Sequence, residues 1–385
     1  MVTDELLLEY GIQPDSLVGR LEKRMSDICE ELSKKRIPVD LGKLKTDLAD
    51  MDARITELTN QMQQHTNGMV TTSDLRELKK QLSRFLVEER GIPSFFLNDE
   101  GVIPSLLGLL SLLDRHDSVL FNIFGDFWKT NQRRRYLKGL LKEFDAESNM
   151  VILRYNSLYG PPMEVVGVKP DLKWFFYRNY LYPSSGKVWL EVGVKDFSLY
   201  ALGHLLESEE LKEIYYQGGY DLFGEMLTSV PRNELSSDDK YQIASFLNSI
   251  LNTQYKLRVE GSLKKVFPSV GTTEDSRRLL MLLRNVDVSQ IPKEQTPIGR
   301  KLVESITFNR YLCMLYNDLQ RLALVYLNDN FNLRPYMILQ GVFIFELHED
   351  ADIQGFQNQI EQAYHESRFQ GWEAPVVFFR IKETT

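Results

Sequence analysis

The feature that most limits what this chain can fold into is a run of apolar residues, Leu41, Leu44, Leu48, Met51, Ile55, Leu58 and Met62, spaced by alternating steps of three and four. That spacing is the a/d repeat of a coiled coil and places the side chains on one narrow stripe of an α-helix. The residues between them are mostly Lys, Asp, Arg, Glu, Asn and Gln, so the rest of the helix wants water and the stripe wants another helix.

Two neighbours could supply that helix. Leu21, Met25, Ile28 and Leu32 form a second stripe, opened by the Asp15-Ser16 capping pair and closed by Arg36-Ile37-Pro38. Leu75, Leu78, Leu82 and Phe85 form a third, opened by Thr71-Thr72-Ser73-Asp74 and stopped by Gly91-Ile92-Pro93. The expectation is an antiparallel helical, coiled-coil-like module over residues 1–92. Its seam either closes within the chain or pairs with a second copy or a protein partner, since both satisfy the same stripe.

Beyond it the pattern mixes. Leu106, Leu107, Leu109, Leu110 and Leu113 are apolar around the whole helix and belong in a core. Met150 to Leu153, Lys173 to Tyr177 and Val188 to Val192 read as short strands, separated by Gly160-Pro161-Pro162 and Pro183-Ser184-Ser185-Gly186. Helices resume from Leu199 to Leu251 and from Ser276 to Arg284. After a linker bracketed by Pro292 and Pro297 come a long helix, Arg300 to Leu327, and a β-α-β ending: strand Val342 to Leu347, helix Ile353 to Ser367, strand Val376 to Ile381. The predicted class is therefore α+β and predominantly helical, with a small mixed or antiparallel sheet. The predicted division is a helical module at 1–92, a mainly helical domain with central strands at 93–290, and the long helix with β-α-β at 291–385.

Composition narrows the classes of function. Cys29 and Cys313 lie in different segments, which excludes a disulfide framework and fits a reducing, cytoplasmic setting. The N-terminus lacks the basic flank and apolar core of a secretory signal, and the longest uncharged apolar run, Val102 to Leu113, is too short to span a bilayer. A net charge of -8 argues against general attraction to phosphate or anionic lipid and leaves local basic patches as the route to nucleic acid.

One such patch is the segment holding Trp128, Lys129, Arg133, Arg134, Arg135, Tyr136, Lys138 and Lys142, where cations and aromatic rings could meet phosphates and bases. Three consecutive arginines cannot share one helix face, so some point elsewhere. The catalytic patterns are partial. Asp350, Asp352 and Glu361 with Gly355 follow the spacing of an EF-hand calcium loop, but Gln357 stands where an apolar residue belongs. The same Asp350 and Asp352 after a strand resemble the acidic pair of a TOPRIM nuclease, with Glu191 as the one attractive strand-end glutamate upstream to complete it. Asp171, Glu191 and Lys195 resemble the PD-(D/E)xK nucleases, with the lysine two residues too late. No nucleophile motif accompanies His65, His116, His204, His348 or His365, and no dinucleotide or phosphate loop is present.

The seam is a complete pattern and each catalytic one is broken. The sequence therefore favours a non-enzymatic interaction subunit without cofactors, assembled through Leu41 to Met62. The alternatives are a metal-dependent nuclease using Asp350 and Asp352, and a nucleic-acid-binding accessory subunit using Arg133 to Arg135.

Overall fold

The computed structural model describes residues 2–9, 12–141, 144–145, 150–153, 155, 170–251, 256–286, 296–299, 307–339 and 341–382. The chain opens with α1 (Asp4–Glu9) and α2 (Leu17–Leu32), where the Ser16 hydroxyl accepts from the Gly19 N–H and stands in for a missing helical carbonyl. It continues through β1 (Arg36–Pro38), α3 (Leu41–His65), α4 (Leu75–Arg90), a short 3-10 turn at Ser94–Phe96, α5 (Leu106–His116) and α6 (Ser118–Leu141). After β2 (Phe144–Asp145), β3 (Met150–Ile152) and α7 (Pro170–Tyr180) comes the central strand β4 (Lys187–Val194). The remainder is α8 (Phe197–Leu205), α9 (Glu209–Gln217), α10 (Tyr220–Thr228), α11 (Ser237–Leu251), α12 (Lys256–Val266), α13 (Glu274–Asn285), α14 (Phe308–Phe331), β5 (Met337–Leu339), β6 (Val342–His348), α15 (Ile353–Glu366) and β7 (Val377–Lys382).

These elements form two compact units. Residues 36–152 and 168–182 make one, and residues 1–35, 153–167 and 183–385 the other. The helices of the expected N-terminal coiled-coil-like module fall in different units, α2 in the second of these and α3 in the first.

In the unit of residues 36–152 and 168–182, α3 packs along α6, and Ile55, Leu58 and Met62 join Leu78, Leu82, Phe85, Phe124 and Phe127 in one core. Leu44 and Leu48 are buried, while Leu41 and Met51 at the edge of the stripe are partly covered. The joint between α5 and α6 is fixed by Asp117. Its carboxylate accepts from the Leu120 N–H at 3.0 Å, sits 2.9 Å from His65 Nε2 and takes Arg90 Nη2 at 2.7 Å. Burial pushes this carboxyl up, but the Leu120 N–H, His65 and Arg90 together outweigh it, and the group stays below its ordinary value. β1, β3 and β2 form a small antiparallel sheet beside these helices.

Residues 173–177, predicted as a strand, are helical within α7. Pro170 supplies the fixed φ and absent N–H that suit a first helical position. Trp174, Tyr177 and Tyr180 then recur every three residues, and Trp174 and Tyr177 meet edge to face at 5.5 Å.

In the other unit the sheet order is β5-β6-β4-β7, antiparallel throughout, so the β-α-β ending does flank the middle strand. β4 reads Lys187-Val188-Trp189-Leu190-Glu191-Val192-Gly193-Val194, and its period of two sorts the residues by face. Leu190, Val192 and Val194 point into a core shared with Phe343 and Phe345 of β6 and with α2, α8 to α14 and α15. On the opposite face Trp189 and Glu191 stand across from Glu346 and Ile344 of β6, and Gly193 across from Phe378 of β7. Glu346 Oε1 accepts from the Ser184 N–H at 3.0 Å and from Trp189 Nε1 at 3.3 Å. Helices α2 and α14 are joined by an ion pair between Glu22 and Arg321, whose side chains are 0% and 3% exposed. The Gly160-Pro161-Pro162 turn, Lys142, the Asp171 side chain and Pro292 lie outside the described residues.

Candidate nucleic-acid interface

β4 runs out at Val194, and the chain turns sharply into α8 through Lys195 and Asp196. Asp196 has φ +46°, a left-handed conformation uncommon for a non-glycine residue. Its carboxylate accepts from the Tyr220 N–H at 2.8 Å, and its carbonyl from Leu199 N–H. Burial raises the carboxyl above its ordinary range, against the Tyr220 N–H and Lys195, which pull it down. The turn is a clamp from strand to helix, and it delivers Phe197 and Ser198 to an open cleft.

That cleft has a volume of about 380 Å³ and is walled by Val194, Phe197, Ser198, Asn248 of α11, and Asn309, Cys313 and Tyr316 of α14. The Phe197 and Tyr316 rings lie 5.0 Å apart at 58°. Tyr316 also donates to the Gly341 carbonyl at 3.3 Å, which seats its ring on the turn between β5 and β6. Two amides, a hydroxyl and two rings make a surface that offers stacking and uncharged hydrogen bonds in both senses.

Behind Phe197 the aromatic contacts continue inward, through Tyr200 at 5.8 Å to Trp372 at 5.4 Å from Tyr200. Tyrosine hydroxyls tie down the strand leading into β7: Tyr200 donates to Glu373 O at 2.8 Å, Tyr216 to Ala374 O at 3.0 Å, and Tyr215 accepts from Val376 N–H at 2.7 Å. His204 stacks on Trp372 with ring centroids 4.8 Å apart. Burial, with the nearby Lys212 charge, pushes the His204 imidazole down to about 4 against a weaker opposing pull from Glu209. A histidine with a lowered folded value is stabilising as the neutral ring. Its contribution is complete above the ordinary value of 6.5 and is lost as pH falls through that value toward 4. The unfolding free energy from urea titrations is expected to drop across that window by up to about 1.4 kcal/mol per pH unit, and the drop should flatten in His204→Gln. An unchanged slope in the variant would assign it to other groups.

In the unit of residues 36–152 and 168–182, the predicted basic patch forms most of the C-terminal half of α6. Arg134 pairs with Asp52, and Lys138 reaches the same carboxylate at 3.2 Å. Arg133 is exposed and lies over the Phe175 ring at 4.9 Å. Arg135 and Lys129 are exposed as well. The three arginines thus do separate by face: Arg134 is structural, and Arg133 and Arg135 stay outside. This unit carries 19 Lys and Arg against 18 Asp and Glu, so the chain's net negative charge comes from the other unit, with 27 Lys and Arg against 36 Asp and Glu. The basic face works against little local repulsion.

The predicted metal residues do not come together. Asp352 caps α15, accepting from the Gly355 N–H at 2.9 Å, and Glu361 is exposed two and a half turns further along, about 13 Å down the axis. Asp350 is exposed with His348 Nδ1 at 3.4 Å. Glu191 lies inside the sheet, 4% exposed, with Arg380 at 3.7 Å, and the Lys195 ammonium is turned to the Gly218 carbonyl at 3.5 Å. Among the described residues no three His, Cys, Asp or Glu side chains converge as a metal site. The seam residues Leu44, Leu48, Ile55, Leu58 and Met62 are buried inside their own unit, with Leu41 and Met51 at its margin.

The cleft residues Phe197, Ser198, Asn248, Asn309 and Tyr316 were absent from the sequence reading. They come from three helices distant in the chain, and the only local signal was the short polar break Lys195-Asp196 between strand and helix.

No protein-family profile matches the sequence, and no curated protein matches it. Among solved structures the chain is similar to the POL domain of Pol1 from M. smegmatis, solved with a DNA primer-template and dNTP. The TM-score is 0.73 at 14% identity, and the superposition covers 99% of this chain and 72% of that one. Nearly the whole chain thus shares its fold with that POL domain. This overturns the expectation of an interaction subunit or scaffold assembled through heptads: most of the seam is buried inside its own unit. Among the described residues no helix is long and apolar enough to cross a membrane.

Proposed function

We propose that this chain is a nucleic-acid-binding protein that receives a duplex with a single-stranded extension. The observation that carries this reading is the extent of the likeness: 99% of the chain superposes on a domain that was itself solved with a DNA primer-template. The local chemistry supports it. The cleft between β4, α8, α11 and α14 presents rings for base stacking, worth about 1–3 kcal/mol per base, and amides that suit base edges. The α6 face presents Arg133, Arg135 and Lys129 for phosphates. The metal-dependent nuclease reading gains nothing, because Asp350, Asp352 and Glu361 are spread along a helix start and its exposed face.

The test is fluorescence anisotropy of a labelled primer-template duplex against the full chain over a salt series. Binding is expected to weaken as salt rises. The variant Arg133→Gln/Arg135→Gln should lower the log-log slope by about 0.9 for each phosphate contact removed. Arg134→Gln should instead reduce stability and leave the slope unchanged, because its partner is Asp52. Binding that is absent, or indifferent to salt, would sink the proposal.

A further inference from the structure

Nucleotidyl transfer by polymerases uses two divalent ions about 3.5–4 Å apart, held by carboxylates that converge on them. Among the described residues the donor set does not fit such a pair. The open end of the sheet is formed by Gly193 and Val194 of β4 and by Gly341 and Val342 at the start of β6, with Val342 Cγ2 3.5 Å from where a Cβ on Gly193 would lie. None of these carries an oxygen on its side chain.

The glycines are also closed over by rings. A Cβ on Gly193 would lie 2.7 Å from the Phe378 ring, and one on Gly341, at φ +77°, would run into the Tyr316 ring. A carboxylate could not be carried at either place without moving an aromatic side chain. The acids nearest in the chain are engaged elsewhere: Glu191 faces Arg380, and Asp196 is held by the Tyr220 N–H. Among the described residues no three potential ligands converge.

We infer that the cleft holds nucleic acid without divalent ions, and that the chain grips a primer-template without extending it. This rests on the nucleic-acid reading above and goes beyond it by stating what the site does with its ligand. The sheet end is apolar: Val194 lines the cleft, and beside it lie Val342 and the two ring-capped glycines. Affinity then comes from stacking on Phe197 and Tyr316, hydrogen bonds from Asn248 and Asn309, and phosphate contacts on other surfaces. None of these needs a metal.

The experiment uses the full chain, a labelled primer-template and dNTP, with the M. smegmatis domain as the positive control. Duplex affinity is measured by anisotropy in magnesium and in EDTA at matched ionic strength. Manganese binding is followed by the loss of the free-ion electron paramagnetic resonance signal beyond that caused by DNA alone, and primer length is read on a denaturing gel. The expected result is equal affinity within about twofold, no manganese bound by the chain, and an unextended primer. One or two manganese ions held per chain, or metal-dependent extension, with duplex binding intact, would overturn this inference and leave the nucleic-acid reading standing. Absence of duplex binding in both buffers would overturn both. Phe197→Ala supplies a further readout: affinity should fall about tenfold in EDTA and in magnesium alike, and a loss confined to magnesium would speak against a metal-free cleft.

Discussion

Arg321→Met is expected to lower the unfolding free energy by about 3–5 kcal/mol, the largest effect of any single substitution considered for this chain. Arg321 and Glu22 are almost wholly withdrawn from water, and each balances the other's charge where solvent cannot. Removing the guanidinium leaves a carboxylate in the core between α2 and α14, where its desolvation is uncompensated. The double variant Glu22→Leu/Arg321→Met should recover most of the loss, because two apolar side chains of similar volume need no partner. Urea denaturation of the two single variants and the double variant gives the coupling. A single variant within about 1 kcal/mol of the parent would show that the pair is not what fixes α2 on α14. The neighbouring Cys29 thiol reports the same surroundings: burial pushes it up to about 12, the Arg321 charge works against that, and Glu22 adds to it.

Leu58→Ala should cost about 2–5 kcal/mol and leave the solution mass of the chain unchanged. Leu58 is 1% exposed and packs with Phe124, Phe127 and Leu82 in the core built by α3, α4, α5 and α6. Truncation opens a cavity whose lining of aromatic rings has little room to collapse. A seam that joined two copies would behave in the opposite way, changing mass with concentration and leaving the monomer's stability nearly untouched. Light scattering beside a urea titration separates the two. A shift in mass without a shift in midpoint would return the seam to the surface.

Much of the helical content was legible because its signals are local. Ser16, Asp40, Asp74 and Asp352 cap the helices that follow them, and the 3-4 spacing of Leu41 to Met62 gave α3 its full length. The strands β4, β6 and β7 were legible as β-branched and aromatic runs, and the β-α-β ending could be expected to join the middle strand, but not in the order β6-β4-β7. What the seam packs against was not legible, since a stripe records only that it must be covered, and α6 begins more than fifty residues after the last seam residue. The run Lys173 to Tyr177 misled because aromatic residues suit both strands and helices, and the deciding residue, Pro170, stands outside the run. The cleft was the least legible element. Phe197, Asn248, Asn309 and Tyr316 form no motif in the chain and acquire meaning only where β4 ends against α14. The isolated acids Asp350, Asp352 and Glu361 drew attention by their spacing, yet spacing along a helix start separates side chains rather than gathering them.

The salt bridge of Glu22 with Arg321 spans 299 positions, and Lys35 reaches the Pro335 carbonyl across 300. On a ribosome adding about 5–20 residues per second, α2 therefore waits roughly 15 seconds or more for the helix that neutralises it. Meanwhile residues 36–152 already hold most of what their own unit requires. Synthesis thus orders assembly: the inserted unit can close early, while the flanking unit keeps a buried-to-be carboxylate and an unpaired apolar stripe in water until its last quarter has emerged. A chaperone that shields Leu21, Met25 and Ile28 during that interval would act on this chain at the one stage when α2 has no partner to meet.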